Sequence, residues 1–457
     1  MTAPIVLSGR GRMLVPSGPP GPARATIDDA GFTLSVNDGT RVVAFRDLDT
    51  IAVQERATLL VLGSGEGAER VLLDQFGSDQ GQLVRELRDR RLRQRAADAL
   101  VTLPQDEPID LVEYDDGSRP GVGQLAYHAW GAILVPLDER LPPLRIRRSR
   151  IAAVRPNDTG GAVEVELSSA AGGSTTGLRL VRLGAAARIH ADRFEALRAG
   201  ARIDAARIVA TLIADAPYPA RQEAARILVD GRPARPADLP ASWTAIEAGV
   251  LVDPTFATSY HALRDRAGGQ APSRAIAVAP VEPGGDGSRS WFLVPLPGNL
   301  LSLELVSEGA HATYCFRIVP RAEFVADPSD PAAIDAAIGA ISEALVDGRF
   351  LREPMALTDA ALAEPKAQRY RFALAAIPSL AAARDRFVAR IVHRDDASWA
   401  AALDDLIVWH GSTRDDGAVW PGRAAEDELV DDAPAEVVGG TPAGAPVITS
   451  GRSQGDN

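Results

Sequence analysis

Two stretches of this chain, Gly31 to Arg95 and Gly131 to Leu212, run through the same succession of patterns about one domain length apart. A unit that occurs twice must close around its own core each time, so the repeat narrows the architecture more than composition does. The first copy opens with Phe32, Leu34 and Val36 alternating with polar residues, then Asn37-Asp38-Gly39, then Val43 and Phe45. Alternation of this kind marks a strand, and Asn, Asp and Gly tolerate the positive φ of a tight turn, so a hairpin is expected. In the second copy Tyr127, Gly131 and Leu134 stand where the first has Ile27, Gly31 and Leu34, and the same offset pairs Ile51 with Ile151. The match is partial, because Val135 falls opposite Ser35 and Pro136 opposite Val36.

Each copy continues through a second meander, bent at Gly63, Gly65 and Gly67 in the first and at Gly172 and Gly173 in the second. An apolar strand follows, then Gly77 or Gly184. There the period changes from two to about 3.6. Leu83, Leu87 and Leu92 share one helical face in the first copy; Phe194, Leu197, Ile203 and Ile208 do so in the second. Ser78 or Asp79 is expected to cap the first helix, since a side-chain oxygen can satisfy an orphan backbone donor.

Short antiparallel strands closed by one C-terminal amphipathic helix, present twice over residues 23–215, resemble a tandem of bacterial pleckstrin-homology-like (PH-like) domains. The residues that carry the resemblance are the opening hairpins with Gly31 and Gly131, the FRDLDTI and IRRSRI stretches that lead into the next strand, and the capping helices. It covers a little under half the chain. The resemblance implies an α+β fold with two β-barrel or sandwich units, each a curled sheet plugged at one end by its helix. It implies binding of peptide, protein or lipid headgroup and no catalysis, and a fold of this kind does not by itself assign a function.

At 457 residues the chain has room for about three domains, and 46% hydrophobic content suits globular packing. PH-like units are expected at 1–102 and 124–215, with a Pro- and Gly-containing linker at 103–123 that joins two separately folded units through a limited contact. A helical linker over 216–242 leads to a third α+β unit, 243–356, whose strands include WFLVPLP, LLSLELVSE and ATYCFRIVP. Strands followed by a helix repeat the earlier order, so a degenerate third copy is one reading of this unit. In PAAIDAAIGAISEAL, Asp330 is the expected cap and Pro331 the first helical residue. A helical segment, 357–411, contains IPSLAAARDRFVARIV and DASWAAALDDLIVWH as its two helices, with Asp396 at the start of the second. Residues 412–457 are expected to be a disordered acidic tail, too poor in apolar surface to offset the entropy of ordering.

Formal net charge is −12. Ala424 to Asn457 holds seven acids against Arg452, so half of that charge sits in the tail and the body is only mildly acidic. Nucleic acid is not an expected partner of such a chain. The single cysteine, Cys315, excludes an intramolecular disulfide and favours a reducing compartment. No secretory signal pattern opens the sequence, and no window approaches the roughly 18–20 apolar residues that cross a bilayer. A cytoplasmic protein is the expectation.

No catalytic, cofactor-binding or metal-binding residues are assigned by the sequence. The string VLGSGEGAE, Val61 to Glu69, has the spacing of a dinucleotide loop, but RVLLDQFG after it reads as a strand, whereas a phosphate site needs a helix N-terminus there. The six histidines are scattered without metal-ligand spacing. His311 and Cys315 lie four apart in a strand-rich stretch, a spacing that fits a thiol with its base and equally a core cysteine.

Two arginine-rich runs stand out. Arg85, Arg88, Arg90, Arg91, Arg93 and Arg95 lie on the first capping helix; Arg145, Arg147, Arg148, Arg150 and Arg155 lie on or beside a strand with no acid among them. The second run is a candidate anion-binding set, because guanidinium groups meet carboxylate and phosphate bidentately. Its other readings are a solvated face and an internal contact with the acidic tail. The expected function is a non-enzymatic adaptor or scaffold that binds a protein partner by capture at a sheet edge or groove. Two alternatives remain open: an anionic-ligand module using Arg145 to Arg150 for lipid headgroups or phosphorylated segments, with peripheral membrane contact, and an enzyme with an unrecognised site in the third unit.

Overall fold

The computed structural model describes residues 5–412 and Trp420, apart from segments 16–17, 29–30, 38, 55–56, 64–67, 105, 119, 139–140, 158–160, 169–175, 306–310, 324–325, 393–394 and 413–419. The acidic stretch 424–457 and the tail hypothesis built on it therefore lie outside the described residues.

The first antiparallel sheet comprises β1 (Ile5–Val15), β2 (Gly21–Ile27), β3 (Phe32–Val36), β4 (Gly39–Val43), β5 (Leu48–Gln54), β6 (Ala57–Leu62) and β7 (Glu69–Asp74), in the order β4-β3-β2-β1-β7-β6-β5. Alternation does what the pattern requires: Ala23, Ala25 and Ile27 of β2 and Phe32, Leu34 and Val36 of β3 are all buried in one core. Helix α1 (Asp79–Asp98) sets Leu83 and Leu87 into the same core. It starts without the expected cap, since Ser78 has helical φ and ψ and makes no capping hydrogen bond.

The second sheet contains β8 (Asp110–Asp115), β9 (Pro120–His128), β10 (Gly131–Pro136), β11 (Leu144–Arg147), β12 (Ile151–Asn157), β13 (Ala162–Leu167) and β14 (Thr176–Val181). Its order, β11-β10-β9-β8-β14-β13-β12, is the first order strand for strand. Helix α2 (Ala186–Leu212) closes it with Ala187, Ala191 and Phe194. Both sheets are open: β4 and β5 end one order, β11 and β12 the other, so neither is the closed barrel that the resemblance allowed.

Local detail repeats as well. A Cβ on Gly31 would meet the Val43 carbonyl oxygen at 2.6 Å, and one on Gly131 would meet the Ile146 carbonyl oxygen at 2.0 Å. A single 3₁₀ turn follows each hairpin, Phe45–Asp47 and Arg148–Arg150. The register then shifts just after the first residue of the next strand, Leu48 in β5 and Ile151 in β12. These landmarks correct the expected pairing of Ile51 with Ile151. The hairpin of the second copy is three residues longer, so Ile151 corresponds to Leu48, and Ile51 to Val154. The mismatch of Val135 with Ser35 also has a cause. Strand β10 is buried on both faces, and its outer residues Ile133 and Val135 pack into the core of the third unit, whereas Ser35 is only partly buried.

The stretch expected as a linker, 103–123, instead supplies β8 and opens β9. Nor is the joint limited. Leu92 and Ala96 of α1, with Ala99 and Val101 after it, share one core with Ala126 and Ile133 of the second sheet and with Trp291, Leu293 and Ile341 of the third unit.

Three helices, α3 (Tyr218–Ile227), α4 (Trp243–Val250) and α5 (Pro254–Ala267), precede the third sheet. That sheet runs β15 (Ala275–Pro280), β16 (Ser288–Leu296), β17 (Asn299–Leu305), β18 (His311–Arg317) and β19 (Phe387–Val392) in sequential order, an arrangement unlike the other two. Between β18 and β19 come α6 (Pro331–Asp347), α7 (Glu353–Ala356), α8 (Asp359–Ala363), α9 (Gln368–Ala376) and α10 (Pro378–Arg386); α11 (Asp396–Ser412) follows. Asp330 caps α6 by accepting from the Ala332 amide, with Pro331 at the first position as expected. One sheet face packs Trp291, Leu293 and Phe316 against Ile341 of α6 and Leu380 of α10. The other packs Phe292 and Cys315 against Tyr260 of α5, Trp399 of α11 and Ile208 at the end of α2.

Two helical expectations fail here. IPSLAAARDRFVARIV breaks at Phe387, because Phe387–Val392 pairs with β18, burying Phe387, Val388 and Ile391. Those β-branched and aromatic residues suit a pleated surface, and strand pairing overrides the helical spacing. Ile203 is 66% exposed, while Ala201, Asp204, Ala205 and Ile208 form the buried stripe of α2. No described helix is long and apolar enough to cross a membrane.

Candidate functional site

The arginine run of the second copy occupies β11, the 3₁₀ turn and β12. By the equivalence of the two hairpins, Arg145, Arg147, Arg148 and Arg150 stand where the first copy has Val42, Ala44, Phe45 and Asp47. Each finds a carboxylate inside the chain. The Arg145 Nη1 atom lies 3.6 Å from Asp347. Arg147 donates to the same carboxylate and, at 3.1 Å, to the Glu343 carbonyl. Arg150 Nη1 is 2.9 Å from the Glu343 carboxylate, and Arg155 pairs with Glu166 at 2.8 Å on the exposed rim. Arg148, 3% exposed, forks onto Asp230 and also reaches Asp204 at 2.6 Å.

Glu343 and Asp347 are one turn apart on the last turns of α6, where the helix dipole disfavours negative charge. Arginines supply the compensation. Burial pushes the Asp347 carboxyl up, but Arg147, Arg145 and the Ser379 hydroxyl outweigh burial and hold it below the usual carboxylate range. The run thus fastens the β11 edge of the second sheet to α6 and to the α2 and α3 segments.

The helical run is used in the same way. Arg95 donates to the carbonyls of Pro136 and Leu141 at 2.8 and 2.7 Å, and Arg93 donates to that of Pro104 at 2.6 Å. Arg88 approaches the Ile51 carbonyl at 3.5 Å. Burial, reinforced by Arg95 and opposed by Asp49, lowers the Arg91 guanidinium to about 10.

A cavity of about 310 Å³ opens where these pieces meet. Its walls come from the β9–β10 turn (His128, Trp130), from β11 (Arg145, Arg147), from the end of α6 and the turn after it (Asp347, Arg349, Phe350), and from Arg289 at the start of β16. Val101, Ala132 and Val346 give it apolar surface. Burial, then Arg145 and Arg349, push His128 down to about 3 against a hydrogen bond at Ala132, so the imidazole is neutral at physiological pH.

The two copies differ at the matching edge. In β4, Gly39 to Val42 are all exposed and Val42 is 83% exposed, whereas Arg145 and Arg147 in β11 are held against α6.

Chemistry proposed elsewhere is placed as follows. The Val61 to Glu69 string joins strand β6 to strand β7, with α1 beginning only at Asp79, and its Gly65 and Gly67 lie outside the described residues. Cys315 is buried, donates to Asn299 Oδ1 at 3.3 Å, and burial pushes its thiol up to about 12 even though Arg317 works the other way. A thiolate nucleophile is not favoured there; the His311 side chain lies outside the described residues. Among the described residues no His, Cys, Asp and Glu side chains gather as a metal site. Sequence reading missed the buried bond between Tyr127 Oη and His190 Nδ1, 2.8 Å long, with Asp110 4.0 Å from His190 Nε2 and Arg193 over the Tyr127 ring. Its only signal was Tyr127 and His190 each at a core position of its own element.

No family model matches this chain, and no curated protein matches it.

Proposed function

We propose that this chain is a non-enzymatic adaptor or scaffold of the cytoplasm, with two tandem PH-like modules, that binds a protein partner by adding an extended segment of it to the β4 edge of the first module. One internal comparison supports the reading: the same edge occurs twice and, among the described residues, only one is engaged. In the second copy arginines at the edge meet the acids of α6. In the first, exposed Val42 and Ala44 hold the positions of Arg145 and Arg147, and Arg41 is already paired with Glu69. An edge strand with unpaired backbone groups and a β-branched side chain is a template for another strand. Its occupant is an extended segment whose apolar residues cover Val42.

The test is affinity purification with the full chain, its Val42→Lys variant, and Val252→Lys as a control at another exposed valine. The wild type and the control recover the same partner, and the Val42→Lys variant loses it, with affinity for the purified partner falling by about tenfold or more. No partner with the wild type, or equal recovery by Val42→Lys, ends the proposal.

A further inference from the structure

We infer that the cavity between the second sheet and α6 binds a small organic carboxylate with an apolar body. The charge that calls for it is a surplus of guanidinium. Asp347 uses one oxygen on Arg147 and the other on Ser379, which leaves Arg145 Nη1 at 3.6 Å without a hydrogen bond. Arg349, exposed at the rim, has no ion pair among the described residues. Among the described lining residues, Arg145, Arg147 and Arg349 outnumber the two carboxylates, Asp347 and Glu282. Neutral His128 adds no positive charge, and it offers a donor or acceptor beside the arginines.

The size and walls narrow the class. At about 310 Å³ the space is at the small end of ligand pockets. Trp130 and Phe350 offer flat apolar surface, and Phe350 is backed by Arg289 at 4.7 Å from its ring centroid. A planar carboxylate meets a guanidinium fork in register. A phosphate dianion would instead crowd the fixed Asp347 carboxylate with a second negative charge.

Calorimetric titration of the full chain tests this with benzoate, its neutral isostere benzamide, and inorganic phosphate. Benzoate binds, benzamide binds at least about tenfold more weakly, and phosphate is weaker than benzoate. Arg349→Gln, at an exposed position, leaves thermal unfolding unchanged and weakens benzoate severalfold; Arg145→Gln weakens it further. Equal binding of benzamide, tighter binding of phosphate, unchanged affinity in both variants, or no benzoate binding at millimolar concentration would each overturn the assignment.

Discussion

Arg148 places Nε and Nη2 each 2.8 Å from one oxygen of Asp230, a two-pronged contact buried beneath Trp130. The partner comes from the turn after α3, so the bond ties the second sheet to the start of the third unit. Asp204 of α2 completes the group, accepting from Arg148 at 2.6 Å, from Arg207 at 2.5 Å and from the Gly284 amide at 3.2 Å. At this position the first copy has Phe45, stacked on Phe32. One site in the repeated unit therefore serves as apolar core in one copy and as an interdomain fastening in the other.

Replacing Arg148 with methionine keeps most of the volume and strands the buried Asp230 carboxylate, while Asp204 keeps Arg207 and the Gly284 amide. Removing one partner of a buried pair costs about 3–5 kcal/mol, because the other charge stays in a poor solvent. Urea unfolding of Arg148→Met should show a loss of this size. A loss below about 1 kcal/mol would mean that the group is solvated and carries little of the contact.

Tyr127→Phe tests the buried Tyr127–His190 bond. The ring remains, with its edge contact to Phe194, but His190 Nδ1 loses its partner. An unsatisfied buried polar atom costs about 1–3 kcal/mol. The denaturation midpoint should fall accordingly with the slope unchanged; an unaltered midpoint would show that water replaces the hydroxyl.

Much of the architecture was legible because it rests on local rules. The alternation in β3, the two glycines before the hairpins, and the Asp330-Pro331 helix start each follow from the residues that form them. What was hidden depended on distant partners. Phe387 to Val392 has helical neighbours in sequence, and only β18 makes it a strand. The insertion in the second hairpin shifted the repeat by three, since a sequence offset cannot know where the longer turn sits. The arginines of β11 were found, but the acids that meet them lie some 200 residues away, as with Arg147 and Asp347, or 82 away, as with Arg148 and Asp230. Charge alone could not separate an internal fastening from a ligand site, and the cavity beside Arg145 exists only after α6 docks.

The paired glycines give a test of the repeat itself. Gly131 has φ of +152° and its missing Cβ would overlap the Ile146 carbonyl, whereas Gly31 faces the softer 2.6 Å contact with Val43. Gly131→Ala should cost more than Gly31→Ala, since it adds backbone strain of about 1–3 kcal/mol to an overlap that both share. Thermal unfolding of the two variants checks the ranking. Equal and negligible losses would mean that these glycines are not the matching points of the two units.

Acid stability should fall in two windows set by different groups. His128 has its folded value lowered to about 3 by burial and by Arg145 and Arg349. The unfolded chain therefore takes up a proton below about pH 6.5 that the folded chain refuses, and stability declines as pH falls from there towards 3, by at most about 1.4 kcal/mol per unit. Asp347 is also lowered, because its two arginines and Ser379 prevail over burial. Its contribution is complete above the ordinary aspartate value of about 3.9 and disappears as pH drops through its folded value. His128→Gln should reduce the slope of the urea-midpoint profile between about pH 6.5 and 5, leaving the share of His190, which burial also lowers, and leave the more acidic limb intact, while Asp347→Asn should lower the midpoint at neutral pH and reduce only that acidic limb. If His128→Gln leaves the upper window unchanged, the imidazole protonates freely in the folded protein. The positive surroundings argued for the cavity would then have no effect on the group that sits in its wall.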